Sequence, residues 1–160
     1  MRICSDIFCL GERCSLTKIQ IDPSAEEEQG AELQMQLSHP KIVQLHSYFM
    51  AGDELNIAME LCVGGDLDEA LRGARRLECS VEDEMRNVIV QVFSAAAFVH
   101  AHCIVHRDIK PANVMIASGF DFDIRLDEIE VKLSDFGFAC ACPMGARIYD
   151  FAGTPKFAAA

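Results

Sequence analysis

The residues best suited to chemistry lie in one short run, His106-Arg107-Asp108-Ile109-Lys110-Pro111-Ala112-Asn113, followed downstream by Asp135-Phe136-Gly137. Asp108 has the chemistry to accept a proton from an attacking hydroxyl. Lys110, just beyond it, can steady a transferring phosphoryl group. Asn113 and Asp135 supply amide and carboxylate oxygens, the donors that a hard cation such as Mg²⁺ prefers. An ordinary solvated loop carboxylate explains Asp108 alone, but not the company it keeps.

In order and wording, these two motifs resemble the catalytic loop and metal-binding turn of the eukaryotic protein kinases. The resemblance implies ATP and Mg²⁺ as cofactors, Asp108 as the residue that orients the acceptor, and Asn113 and Asp135 as metal ligands. Thr154, in Gly153-Thr154-Pro155, resembles the threonine that bonds the catalytic Asp and Lys of serine/threonine kinases. Together with Lys110 it implies a serine or threonine acceptor on a protein. Asp150 falls where many kinases are phosphorylated, and a carboxylate there can pair with Arg107.

The resemblance extends to the nucleotide side. Lys18, in Leu16-Thr17-Lys18-Ile19, matches the strand lysine that contacts phosphates; the alternative is a strand-edge lysine facing solvent. Met59 matches the gatekeeper, and Glu60-Leu61-Cys62 the hinge whose backbone bonds adenine. Asp66 fits a contact to the ribose or to a basic substrate side chain, or equally an ordinary helix N-cap. Two positions depart from the pattern. Counting back from His39-Pro40, Gly30 stands where the glutamate partner of the lysine belongs, and Gln34 occupies a normally apolar site. A helical Gly costs about 1 kcal/mol relative to Ala. Glu26, Glu27, Glu28 or Glu32 can reach Lys18 only if the helix register shifts. No Gly-x-Gly-x-x-Gly precedes Lys18.

The elements that must position these residues follow from the pattern. Strands are expected at 3–10 and 14–21, with a helix after Asp22-Pro23, where Ser24 and Glu27 form a capping box. Further strands are expected at 43–49 and 55–61, around the turn at Gly52-Asp53. A short helix should end near Gly73. A second capping box at Ser80 opens a helix to His100 that is apolar over most of its surface, as in a buried element. Residues 114–116 and 131–133 read as a hairpin, with a solvated acidic insertion between them that lacks the ligand order of a Ca²⁺-binding EF-hand loop. With these elements, the resemblance implies an α+β, two-lobed fold, an incomplete protein-kinase-like arrangement: 1–61 from the strand-rich lobe, 62–65 the hinge, and 66–160 from the helical lobe up to the activation segment. The wording leans toward the calcium/calmodulin-dependent kinase group. The alternative function is an inactive pseudokinase or truncated fragment serving as a nucleotide-binding or scaffolding module.

Composition narrows the partners. Against 14 Lys and Arg stand 25 Asp and Glu, a formal net charge of −11, which disfavours nucleic acid and anionic membranes and suits a basic protein substrate. The eight cysteines come without an apolar leader after Met1-Arg2, so reduced thiols and a cytoplasmic location are expected. Cys140 and Cys142 lack the second pair of a zinc site. The uncharged run 87–106 is long enough to span a bilayer, but Gln91, Ser94, His100 and His102 interrupt it, so no membrane span is expected.

Overall fold

The computed structural model describes residues 2–9, 12–20, 26–76, 81–118, 128–149 and 152–157. Four antiparallel strands form the first sheet: β1 (Arg2–Cys9), β2 (Glu12–Gln20), β3 (Leu45–Ala51) and β4 (Glu54–Glu60), in the order β1-β2-β4-β3. Helix α1 (Glu26–Met35) lies between β2 and β3 in the chain. It inserts Ala31 into a small core with Leu45, Leu55 and Ile57. The capping box expected at Ser24 lies outside the described residues.

Strand β3 starts at Leu45 rather than at Val43, for a physical reason. The backbone of residues 41–43 is already committed elsewhere: Val43 N donates to Leu133 O at 2.9 Å and Leu133 N to Lys41 O at 2.9 Å. These bonds stitch the loop after α1 to β7 (Val131–Leu133), which pairs with β6 (Val114–Ile116) as the expected hairpin. On the other side, Gly64 N donates to Ile116 O at 3.1 Å and Ile116 N to Gly65 O at 2.9 Å. The hairpin thus holds both chain crossings between the sheet and the helical part.

Helix α2 (Leu67–Arg76) passes through Gly73 instead of ending there. Asp66 Oδ1 caps it by accepting from Glu69 N at 2.9 Å, and Arg72 pairs with Asp68 one turn away. The long helix α3 (Val81–Ala101) buries Val88, Ala95 and Val99 in the larger core with Ile116, Leu133 and Phe136. Its Gln91 is also buried, yet both ends are satisfied: Nε2 donates to Ile129 O at 3.0 Å and Oε1 accepts from Val131 N at 3.1 Å. The expectation of a helix enclosed over most of its surface holds for one face only. Ile89, Val90 and Phe93 are 47%, 61% and 69% exposed. Among the described residues no helix is long and apolar enough to cross a membrane. Beyond α3 come β5 (Ile104–Val105) and its partner β8 (Cys140–Ala141).

Leu133 joins the large core and carries the stitching to 41–43, so Leu133→Ala is expected to lose about 2–5 kcal/mol of unfolding free energy in chemical denaturation. A loss below about 1 kcal/mol would show that this strand is not part of the cooperative core.

Candidate active site

The loop from His106 to Asn113 follows β5 and is fixed from several sides. His106 is buried; its Nε2 donates to Ser134 O at 3.0 Å and its Nδ1 accepts from Asp108 N at 3.3 Å. Burial lowers the pKa of this imidazole, in keeping with the neutral ring that this pair of bonds requires. The ring also packs on Phe136, with centroids 4.6 Å apart. Arg107 has φ 64°, and its Nε donates to Phe138 O at 2.6 Å. His106 and Arg107 therefore tie the loop directly to the segment that carries Asp135.

Asp108 is only 3% exposed, and its carboxylate is held on both oxygens. Oδ1 accepts from Thr154 N at 2.8 Å, while Oδ2 accepts from Lys110 Nζ at 2.7 Å and from Asn113 Nδ2 at 2.9 Å. Lys110 Nζ also donates to Thr154 Oγ1 at 2.7 Å. Gly153 permits this approach: it has φ +94°, and a Cβ there would sit 2.2 Å from Arg107 O. Burial alone would raise the pKa of Asp108, but the bonds from Lys110 and Thr154 prevail and hold it at about 2. The structure thus brings Thr154 onto Asp108, Lys110 and Asn113 from 46 residues beyond Asp108.

Beside this cluster lies a cleft of about 440 Å³ between the sheet and the β6–β7 hairpin. Met59, Glu60, Cys62 and Asp66 line it on one side, Asn113 and Asp135 on another. Glu60 is paired with Lys132, and burial pushes the Cys62 thiol up to about 11, so it is an inert wall. Asp66 serves as the α2 cap while also lining the cleft. The acidic side chains Glu27, Glu60, Asp66 and Asp135 line the cleft, and no basic one does among the described residues.

The donor set fits Mg²⁺. Asn113 spends its amide nitrogen on Asp108 O and Oδ2, both at 2.9 Å, which leaves its amide oxygen for the cleft. With the Asp135 carboxylate this makes two hard oxygen donors, as for a cation completed by substrate phosphates. Among the described residues no three His, Cys, Asp or Glu side chains converge as a metal cage.

Other expected residues stand differently. Lys18 lies in β2 opposite Asn56, and its side chain lies outside the described residues. Thr17 and Ser15, opposite Ile57 and Met59, line the cleft. Sequence reasoning missed these two and Met115; for Ser15 and Thr17, strand alternation opposite Met59 was the available signal. Gln34, at the departing apolar position, is buried and satisfied by donating to Val43 O at 2.9 Å. Asp150 lies outside the described residues.

A strand-built cleft closed below by an Asp–Lys–Asn loop and an Asp in a glycine turn has the parts that phosphoryl transfer uses. The family profile described as protein kinase domain matches residues 15–160, and the chain belongs to that family. Similar proteins are serine/threonine kinases or related kinases. Calcium-dependent protein kinase 5 of Plasmodium berghei (strain Anka) is 30% identical over 124 residues, 78% of this chain and 20% of that protein. The phosphorylase b kinase gamma catalytic chain, liver/testis isoform, of Mus musculus is 29% identical over 148 residues, 92% of this chain and 34% of that one. Serine/threonine-protein kinase ULK1 of Homo sapiens is 32% identical over 124 residues, 78% and 12% respectively. The chain spans about a third or less of the length of these relatives.

The low pKa of Asp108 sets a pH dependence. A folded value of about 2 against an ordinary 3.8 contributes on the order of 2 kcal/mol of stability above pH ~4, lost as pH falls toward ~2. Asp108→Asn is expected to flatten the fall in unfolding free energy between those pH values by about one proton. Equal slopes for the two proteins would refute the assignment.

Proposed function

We propose that this chain transfers the γ-phosphoryl group of Mg²⁺-ATP to a serine or threonine hydroxyl of a protein substrate. The observation that carries the reading is the Asp108 carboxylate, buried and fixed by Lys110, Asn113 and Thr154 beside the cleft that Asn113 and Asp135 line. In this reading residues 62–65 serve as the hinge between a strand-rich part and a helical part. The backbone of Glu60 and Cys62 receives adenine, with Met59 as gatekeeper.

Asp108 orients the acceptor hydroxyl and takes its proton as the new oxygen–phosphorus bond forms and the bond from the γ-phosphorus to the β–γ bridging oxygen breaks, with ADP as the leaving group. Its low pKa keeps it ionised at neutral pH, so its role is chiefly to aim the oxygen, with proton transfer late. Lys110 offsets charge on the transferring group, and Thr154 fixes both Lys110 and Asp108. Asn113 and Asp135 would hold Mg²⁺, which supplies charge neutralisation at the phosphates. With Asp66 on the rim and a net charge of −11, a basic peptide is the matching substrate class. An intracellular setting, where ATP is available, belongs to the same proposal.

The test is phosphoryl transfer to a basic peptide. Asp108→Asn should lower kcat by about 10²- to 10⁴-fold while nucleotide affinity stays within a few fold. Nucleotide binding without transfer in the parent chain would instead identify a binding module. Loss of one hydrogen bond to a charged group makes Thr154→Val about tenfold or more slower in kcat, with Thr154→Ser restoring most of it. If Ser and Val behave alike, the hydroxyl is not what matters.

A further inference from the structure

Gly30 sits within α1, with an ordinary helical backbone, and it is buried against the turn that carries Asp135. A Cβ built at this position would lie 2.1 Å from Phe136 O, 2.8 Å from Phe136 C and 3.1 Å from Gly137 Cα. All three are backbone atoms, so no rotamer change relieves the collision. Resting on the kinase reading above, we infer that Gly30 is a positioning residue: helix α1 seats its bare backbone on the Asp135-Phe136-Gly137 turn, and this seat holds Asp135 in the cleft.

Neither side of the contact can yield cheaply. On the turn, the Phe136 ring is buried beside His106, and Phe136 O accepts from Ala139 N at 2.8 Å. Just before the turn, Ser134 N donates to Asn113 O at 2.9 Å, and Asp135 itself is held at φ 61°. On the helix, Ala31 is buried under Leu45, Leu55 and Ile57, and just past its end Leu37 is buried in the larger core. Gln34 anchors the same helix by donating to Val43 O at 2.9 Å. An added methyl group must therefore move either the helix or the backbone that sets Asp135. Gly30 stands where the family pattern has a glutamate. In this chain that glutamate would not reconstruct an ion pair, because its Cβ has no room. Backbone seating here performs the placement.

The experiment uses the full chain and reads Mn²⁺ affinity in the presence of a non-hydrolysable ATP analogue, by electron paramagnetic resonance, with thermal unfolding alongside. Gly30→Ala and Gly30→Glu are expected to weaken Mn²⁺ binding tenfold or more. The exposed neighbour variant Gln29→Ala and the remote core variant Val99→Ala should stay within twofold, although Val99→Ala unfolds at a lower temperature. In an Asp135→Asn background the Gly30→Ala effect should vanish, since both act through one ligand. Gln34→Leu, which frees the helix anchor without adding an atom at position 30, should also weaken Mn²⁺ binding; it keeps the test open if the Gly30 variants fail to fold. Gly30→Ala or Gln34→Leu binding Mn²⁺ within twofold of the parent overturns the inference and leaves the kinase reading standing. A parent chain that binds no Mn²⁺–nucleotide overturns both.

Discussion

Everything near the cleft depends on keeping one carboxylate ionised out of water. Asp108 is buried, and burial by itself penalises its charge. The penalty is met by three donors, the Lys110 ammonium, the Asn113 amide and the Thr154 backbone N–H, and the Lys110–Thr154 link keeps the ammonium aimed. They come from two points of the loop and from a residue 46 positions beyond Asp108. A charge that needs all of them forces those segments together, so the electrostatic requirement acts as a folding constraint as well as a chemical one.

The β6–β7 hairpin makes that convergence possible. It is only three residues long on each strand, yet the loop after α1 bonds to one edge and Gly64 and Gly65 to the other. Asn113 immediately precedes β6 and Ser134 immediately follows β7, where Ser134 N and Oγ both donate to Asn113 O. The metal-ligand candidates are thereby placed side by side by strand register. Gln91 of α3 secures the same hairpin through Ile129 and Val131. A buried glutamine with both ends satisfied carries no penalty and fixes the helix against the strand.

Much of this was legible in the sequence because the chemistry is written in short local runs. His106–Asn113 and Asp135–Gly137 declare proton acceptance and oxygen ligation by residue type alone. The strand pair around Gly52 and the hairpin at 114–133 follow from alternation and turn residues. What remained hidden depends on contacts between distant segments. The sequence cannot show that residues 41–43 bond to Leu133, so β3 is expected two residues early, at 43–49 instead of Leu45–Ala51. Nor does α3 announce which of its apolar residues face outward, since Ile89 and Phe93 are as hydrophobic as Val88. Gly30 reads as a defect in a helix when only propensity is considered. Its fit against the Phe136 carbonyl is a property of two backbones meeting, which no local pattern encodes.

Arg107 and Asp135 share a further property: each holds a left-handed backbone, at φ 64° and 61°, without being glycine. Such residues cost about 1 kcal/mol or more apiece and persist only where the surroundings insist. One precedes Asp108, the other bears the cleft carboxylate, and the His106–Phe136 packing lies between them. The site is therefore a latch under tension. Its holding contacts all oppose the same relaxation, so loosening any one of them lets both backbones unwind together. Damage at separate points of the latch will overlap in its effects rather than add.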